Sequence, residues 1–248
     1  MRCAAEHLTP CTLELGGKSP VLVADDANIE VAARRIMWGK CINAGQSCIA
    51  PDYVLCTEAI RDQLIETCKA TLTEFYGEDV KGSKDFGRII HSCHFQRLKT
   101  MLDGVKDKVV SGGEAERSRL ALYVFTEDNS LLQRVLHSIS AGGVVHNDVL
   151  QQYSVSSLPF GGVGHSGFGA YHGKASFDTF SHYKPVLCTP AASYLENVNS
   201  IRCPPYSESK IKEVNKLQLP PEGLGGGTSR ALRITSLVLQ GMAGRRQS

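Results

Sequence analysis

The chain has 248 residues, a formal net charge of +2, and 42% hydrophobic against 21% charged residues. That length suits one large domain or two small ones, with apolar content enough for a sizeable core. The weak charge, without any basic block interleaved with aromatics, argues against a nucleic-acid partner, and no apolar run reaches the ~18 residues that cross a bilayer.

In chain order, "CTLELGG" alternates and ends in a Gly pair, which predicts a short strand and a turn. "SPVLVADD" predicts a more buried strand, with Asp26 placed to cap the helix that follows. That helix carries Ile29, Ala33, Ile36 and Met37 at helical spacing and stops before Asn43 to Gly45. "DYVLC" is a strand. Thr57 can cap the next helix, whose Ile60, Leu64, Cys68, Leu72 and Phe75 recur every three or four residues until Gly77. "HFQRLKTML" is a shorter helix, "LALYVF" a buried strand, "DNSLLQRVLHSIS" a helix and "GGVVHN" a further strand. Strands alternating with helices predict an α/β domain around a largely parallel sheet. From about residue 188 the composition turns to Pro, Gly and Ser, which predicts a disordered tail over 188–248, with "ALRITSLVLQGM" able to form a short amphipathic turn.

Nine cysteines at irregular spacing, with no CxxC pair, argue against a zinc ribbon or a thioredoxin-like site. The opening "MRCAAEHLTPCTLELGG" is too polar for a secretory segment, so reduced thiols in the cytoplasm are expected. "HSCH" at 91–94 has no partner cluster and reads as a helix start, so no metal is expected.

Two stretches carry candidate chemistry. "NAGQSCIA" holds Cys48 among small and polar residues, where a sulfur stays accessible for nucleophilic work and Gly45 lets backbone N–H groups approach a ligand. Taken alone, it is also what a surface turn with an incidental cysteine looks like. "LELGGKSP" holds Glu14 between Leu13 and Leu15, and apolar flanks disfavour a carboxylate's charged form, as suits a general base. An edge-strand glutamate facing solvent would read the same way.

Taken together, 34 residues apart, these stretches resemble the two signature motifs of the aldehyde dehydrogenase superfamily. "LPFGGVGHSGFGAYHGKASFDTFSHYK", 158–184, resembles the family's C-terminal stretch, and "RIMWGK", "APDYVLC", "EFYG", "GRII" and "FQRL" point to its class 3 branch, among the B-type members. The likeness runs over roughly residues 7 to 187. It implies the family's catalytic domain, three-layered with a mostly parallel sheet, and NAD(P)+-dependent oxidation of aldehydes to acids. Cys48 would form the thiohemiacetal and thioester, and Glu14 would activate water. By the same resemblance the Cys48 amide would form half of an oxyanion hole, Leu15 would lie near the nicotinamide of NAD or NADP, and Phe160 near the substrate. A homodimer, or pairing with a full-length subunit through about 153–185, is implied too.

The chain also departs from the family pattern. Most of the N-terminal dinucleotide-binding domain would lie upstream of residue 1, together with its oxyanion asparagine, ribose-binding lysine and Gly-rich turn. "GVGHSG" at 162–167 matches GxGxxG without the strand and helix that a dinucleotide fingerprint needs, so it is a decoy. A Glu-Glu-Ile-Phe-Gly-Pro segment is expected before "LALYVF", and several dozen residues look absent between about Arg119 and Leu120. Such a loss would expose core surface and unpaired backbone. Cys41 stands where the family has an aromatic, which would widen the tunnel or leave a void. The C-terminal "RRQS" is neither an apolar anchor nor a prenylation motif, so membrane association is not expected. A cofactor-independent thiol esterase and a non-catalytic partner of a full-length subunit are the alternatives.

Overall fold

A strand buried at every position must be covered on both faces, and Ala121–Phe125 is such a strand. It sits in a computed structural model that describes residues 1–105, 119–191, 193 and 200–218. In chain order the helices are α1 (Arg2–Glu6), α2 (Ile29–Cys41), α3 (Glu58–Tyr76), α4 (Ser92–Asp103), α5 (Asn129–Ser138), α6 (Gln151–Ser154), α7 (Gly173–Thr179) and α8 (Glu208–Gln218). The strands are β1 (Leu13–Glu14), β2 (Pro20–Val23), β3 (Tyr53–Leu55), β4 (Ala121–Phe125), β5 (Gly143–His146) and β6 (Gly167–Phe168).

Four strands form a parallel sheet in the order β3–β2–β4–β5. Side chains alternate across it. Val21, Val23, Tyr123 and Phe125 pack with Ala32, Ala33 and Ile36 of α2 and Ile60 and Leu64 of α3. Leu122 and Val124 pack with Val135, Leu131 and Leu132 of α5 on the other face. The expected α/β class, three layers around a parallel sheet, is what the chain adopts. The interior strands are not left unpaired, contrary to expectation: β2 is bonded on both sides, and the Leu120 N–H donates to the Lys18 carbonyl at 3.2 Å. The chain enters β4 in register at Arg119, which bridges Lys18. The preceding stretch, 106–118, lies outside the described residues.

The caps differ from the sequence reading. Asn28, not Asp26, caps α2, its Oδ1 accepting from the Val31 N–H at 3.1 Å. Asp26 instead reaches across the sheet end, accepting from Thr126 Oγ1 at 2.9 Å and from the Glu127 N–H at 2.9 Å. Thr57 stands at the start of α3, but its hydroxyl donates to Asp25 rather than capping. In both cases a carboxylate at the end of β2 finds a partner brought by tertiary structure. His91 caps α4, accepting from the Cys93 N–H at 3.1 Å, so "HSCH" is a helix start. "GKASFDT" forms α7 despite lacking an apolar period; the Ser176 hydroxyl accepts from the His172 N–H at 2.8 Å and Lys174 pairs with Asp178.

Residues 183–248 form a separate unit. Within it α8 is a helix where a structureless tail is expected, begun by Ser207, whose hydroxyl accepts from the Lys210 N–H at 3.3 Å. "ALRITSLVLQGM" and the terminal "RRQS" lie outside the described residues. No helix among the described residues is long and apolar enough to cross a membrane.

The small antiparallel pair β1–β6 sets Leu13 opposite Phe168 and Glu14 opposite Gly167. Gly167 has φ +122, and a Cβ there would lie 1.9 Å from the Leu13 carbonyl oxygen. Gly167→Ala is therefore expected to lower stability by roughly 2 kcal/mol, read from the urea midpoint. Gly143→Ala, whose Cβ would meet only Gln152 at 3.7 Å, serves as the mild comparison.

Candidate active site

Glu14 and Cys48 both precede strands, Glu14 before β2 and Cys48 before β3, so they meet at the amino ends of the parallel sheet. Ligands of open α/β sheets usually bind outside the carboxyl ends, where connections diverge to opposite sides. Here that point lies between β2 and β4, and Asp26 with its Thr126 and Glu127 contacts fills it.

β1 is held by β6 and by the Leu15 N–H donating to the Ser166 carbonyl at 3.0 Å. Phe160 and Tyr171 exchange two backbone hydrogen bonds, 2.8 and 2.9 Å. The third motif is thus folded back on itself and laid along β1. Tyr171 arrives at Glu14 and donates its hydroxyl to Oε2 at 2.6 Å. The other carboxylate oxygen, Oε1, accepts from the Cys48 thiol at 3.7 Å. Sequence-expected Cys48 and Glu14 are in contact, although 34 residues apart.

The Cys48 loop is shaped by its backbone. After α2 the chain does not stop but tightens through Ile42–Gly45, with Asn43, Ala44 and Gly45 all at positive φ (53, 54 and 75°). Gln46 ties the loop down. Its amide donates to the carbonyls of Asn43 at 2.9 Å and Arg88 at 3.0 Å, and its Oε1 accepts from the Ile90 N–H at 3.0 Å. Beneath the loop, the buried Tyr123 hydroxyl donates to the Ile49 carbonyl at 2.6 Å.

The electrostatics depart from the expectation of a polar, thiolate-favouring loop. Cys48 is exposed, yet its thiol is pushed above the ordinary range, first by desolvation and then by the nearby Glu14 carboxylate and its hydrogen bond. The backbone N–H groups of Cys48 and Ile49 pull the other way, toward the thiolate. The Tyr171 phenol is raised to about 12, chiefly by its bond to Glu14. Burial raises the Tyr123 phenol to about 12. The apolar flanks expected around Glu14 do not form. Leu15 is 64% exposed, because β1 is a two-residue strand at the molecular surface.

A cavity of about 440 Å³ opens over the pair, walled among others by Leu150, Tyr153, Phe160 and Tyr171. Phe160, expected near the substrate, is in that wall and only 6% exposed. Leu15 does not line it. Neither does Cys41: it is half-buried and hydrogen-bonded to Tyr76, so Ile42 faces the cavity and the expected widening at Cys41 is not observed. His172 packs its ring against Tyr153, Phe160 and Tyr171, with centroids 5.5 to 5.8 Å apart. Tyr171, Tyr153 and Leu150 escaped the sequence reading. The only signal for Tyr171 was its place in the Gly-rich third motif, and nothing local marks the other two.

The Aldehyde dehydrogenase family profile matches residues 1–120 and 116–186. Aldehyde dehydrogenase family 3 member A2 of Rattus norvegicus is 44% identical over 259 aligned positions, covering 85% of this chain and 53% of that protein. The dimeric NADP-preferring aldehyde dehydrogenase of Rattus norvegicus is 41% identical over 253 positions, 83% of this chain and 55% of that one. A substrate-bound AldH structure from Staphylococcus aureus superimposes with a TM-score of 0.72 at 36% identity, covering 87% of this chain and 56% of that one. The chain therefore spans about half the length of the relatives it matches. The profile matches the chain in two pieces that overlap at 116–120, beside the Arg119–Leu120 junction. Three motifs in order, a Cys48–Glu14 contact they build, and a profile match reaching residue 186 place the chain in the aldehyde dehydrogenase family.

Proposed function

We propose that Cys48 and Glu14 oxidise an aldehyde to its carboxylic acid through an acyl group held on the cysteine. The observation that carries this reading is the 3.7 Å contact between thiol and carboxylate beneath an aromatic-walled cavity. Glu14 Oε1 faces the sulfur and takes its proton. The thiolate adds to the aldehyde carbonyl carbon, and the oxygen that gains charge meets the Cys48 backbone N–H. A nicotinamide ring, when bound, supplies the acceptor for the hydride. Cys48 then carries the acyl group as a thioester. Glu14, having released its first proton to solvent, takes a proton from water, the hydroxide adds to the acyl carbon, and the C–S bond breaks to release the acid and the cysteine thiolate.

The residues present offer the nicotinamide end of a cofactor one apolar edge, exposed Leu15 beside Glu14 and outside the cavity wall. They do not fit its phosphates. The GxGxxG match is a 3₁₀ turn, Gly164–Ser166, leading into β6 rather than a strand-turn-helix, and no other Gly-rich helix start stands beside the cavity among the described residues. NAD or NADP is therefore assigned by family, with the NADP-preferring relative as its support. A second reading is a cofactor-independent thiol esterase, because Cys48 can take an acyl group from an activated ester without any hydride step. A homodimer, or pairing with a full-length subunit, is supported by the relative named dimeric and by the exposed rings of Tyr153, Phe177 and Phe180. A monomeric elution profile, unchanged by added full-length relative, would count against it.

One assay separates the two chemical readings. The purified chain is given an aldehyde with each nicotinamide cofactor, and separately a nitrophenyl ester without cofactor. Aldehyde oxidation is expected to raise reduced-cofactor absorbance; the esterase reading gives ester turnover alone. Cys48→Ala is expected to abolish either signal, and Glu14→Gln to slow turnover by ~10²-fold or more. Folded protein with no Cys48-dependent signal in either arm would sink both.

Alkylation of Cys48 by iodoacetamide, followed by peptide mass spectrometry, tests the electrostatics without turnover. Because desolvation and Glu14 both disfavour the thiolate, the reaction is expected to be slow at neutral pH and to rise above the ordinary thiol range. Glu14→Gln removes a like charge and is expected to move the midpoint down.

A further inference from the structure

We infer that Tyr171 is a positioning residue for Glu14: its hydroxyl fixes one carboxylate oxygen so that the other faces the Cys48 sulfur. The inference rests on the reading of Glu14 as the base that acts at Cys48. Glu14 sits on an exposed two-residue strand, where a glutamate side chain has several staggered rotamers and water on most sides. Nothing on its own strand selects the rotamer that reaches Cys48. The selecting contact comes from 157 residues away, a 2.6 Å bond from the Tyr171 hydroxyl to Oε2. A bond from a neutral donor to a carboxylate is among the stronger and shorter ones, so it biases the rotamer as well as pairing the oxygen.

Tyr171 is itself held in place. Its N–H and carbonyl are both bonded to Phe160, and its ring stands edge-on to those of Phe160, at 5.6 Å, and His172, at 5.5 Å. The phenol therefore holds Glu14 at one point rather than following it. Raised to about 12, it also stays protonated, a donor and not a competing base, throughout the neutral range. With Oε2 occupied, Oε1 is the oxygen free to take a proton from the thiol or from water. The titratable groups that face this pair are Glu14 on β1, Tyr123 on β4, Tyr153 on α6, and Tyr171 and His172 before α7.

The consequence is electrostatic and measurable on the full chain. Tyr171→Phe keeps the ring and its packing but frees Glu14 to leave the sulfur, which relieves the like-charge penalty on the Cys48 thiolate. The pH profile of Cys48 alkylation is recorded for wild type, Y171F, E14Q and the double variant, with circular dichroism to confirm folding. Y171F is expected to shift the midpoint down, in the same direction as E14Q, and the double variant to go no lower than E14Q alone. A Y171F profile that superimposes on wild type, or a shift that adds in full to that of E14Q, overturns the inference while the Cys48–Glu14 pairing stands. An E14Q profile identical to wild type removes that pairing and, with it, the role of Tyr171. Should Y171F fail to fold, the Tyr171 Cζ resonance of labelled wild type and E14Q decides. It is expected to titrate at lower pH in E14Q, and an unchanged resonance overturns the inference.

Discussion

The two-stranded ladder between β1 and β6 is the constraint on which the site depends. Glu14 lies opposite Gly167, and the close approach of the two backbones leaves no room for a side chain at 167. A ladder this short contributes little stability by itself. What it does is fix register, and in a strand a slip of one residue turns every side chain to the other face. Slipped by one, Glu14 would point away from Cys48 and from Tyr171. The Gly-rich run "GGVGHSGFG" is what allows the approach: Cβ atoms at Gly161 and Gly162 would also lie 2.2 Å from backbone oxygens.

The nucleophile is placed by a different device. Asn43 and Ala44 occupy left-handed conformations that cost L-residues about 1 kcal/mol or more each. Gln46 offsets that cost by bonding three backbone groups on two segments, each bond contributing about 1 kcal/mol. The sulfur is therefore held by a strained loop pinned at its middle, with Tyr123 supporting the next residue from the sheet. One strand of the parallel sheet, β4, thus packs the core with its hydrophobic faces and steadies the site with a hydroxyl.

The candidate site lies at the amino ends of the strands, on a chain that spans about half the length of its relatives. Glu14, Cys48, Phe160 and Tyr171 all belong to segments that the described residues contain in bonded contact. The interior strands β2 and β4 are each bonded on both sides. Among the described residues no Gly-rich strand-turn-helix stands beside the cavity, while the Cys48–Glu14 contact is formed.

Much of this was legible in the residues. Periodicity placed α2, α3 and α5, and the uninterrupted apolar run "LALYVF" announced the buried strand β4, because side-chain burial follows directly from the 3.6 and 2.0 repeats. Cys48 and Glu14 were singled out through motifs that resemble those of the family. The caps went astray because Asp26 and Thr57 chose partners that only tertiary structure brings near, and α7 formed without an apolar stripe because local hydrogen bonds and an ion pair suffice for seven residues. The sequence by itself determined the layers of the fold, which are written in local pattern, and singled out Cys48 and Glu14 through motifs that resemble the family's. Only the tertiary structure decided which carboxylate oxygen faces the sulfur, that Tyr171 holds the other, and that Cys41 turns away from the cavity. Those outcomes depend on contacts between segments more than a hundred residues apart or on the direction of a single side chain, and neither leaves a periodic trace in the chain.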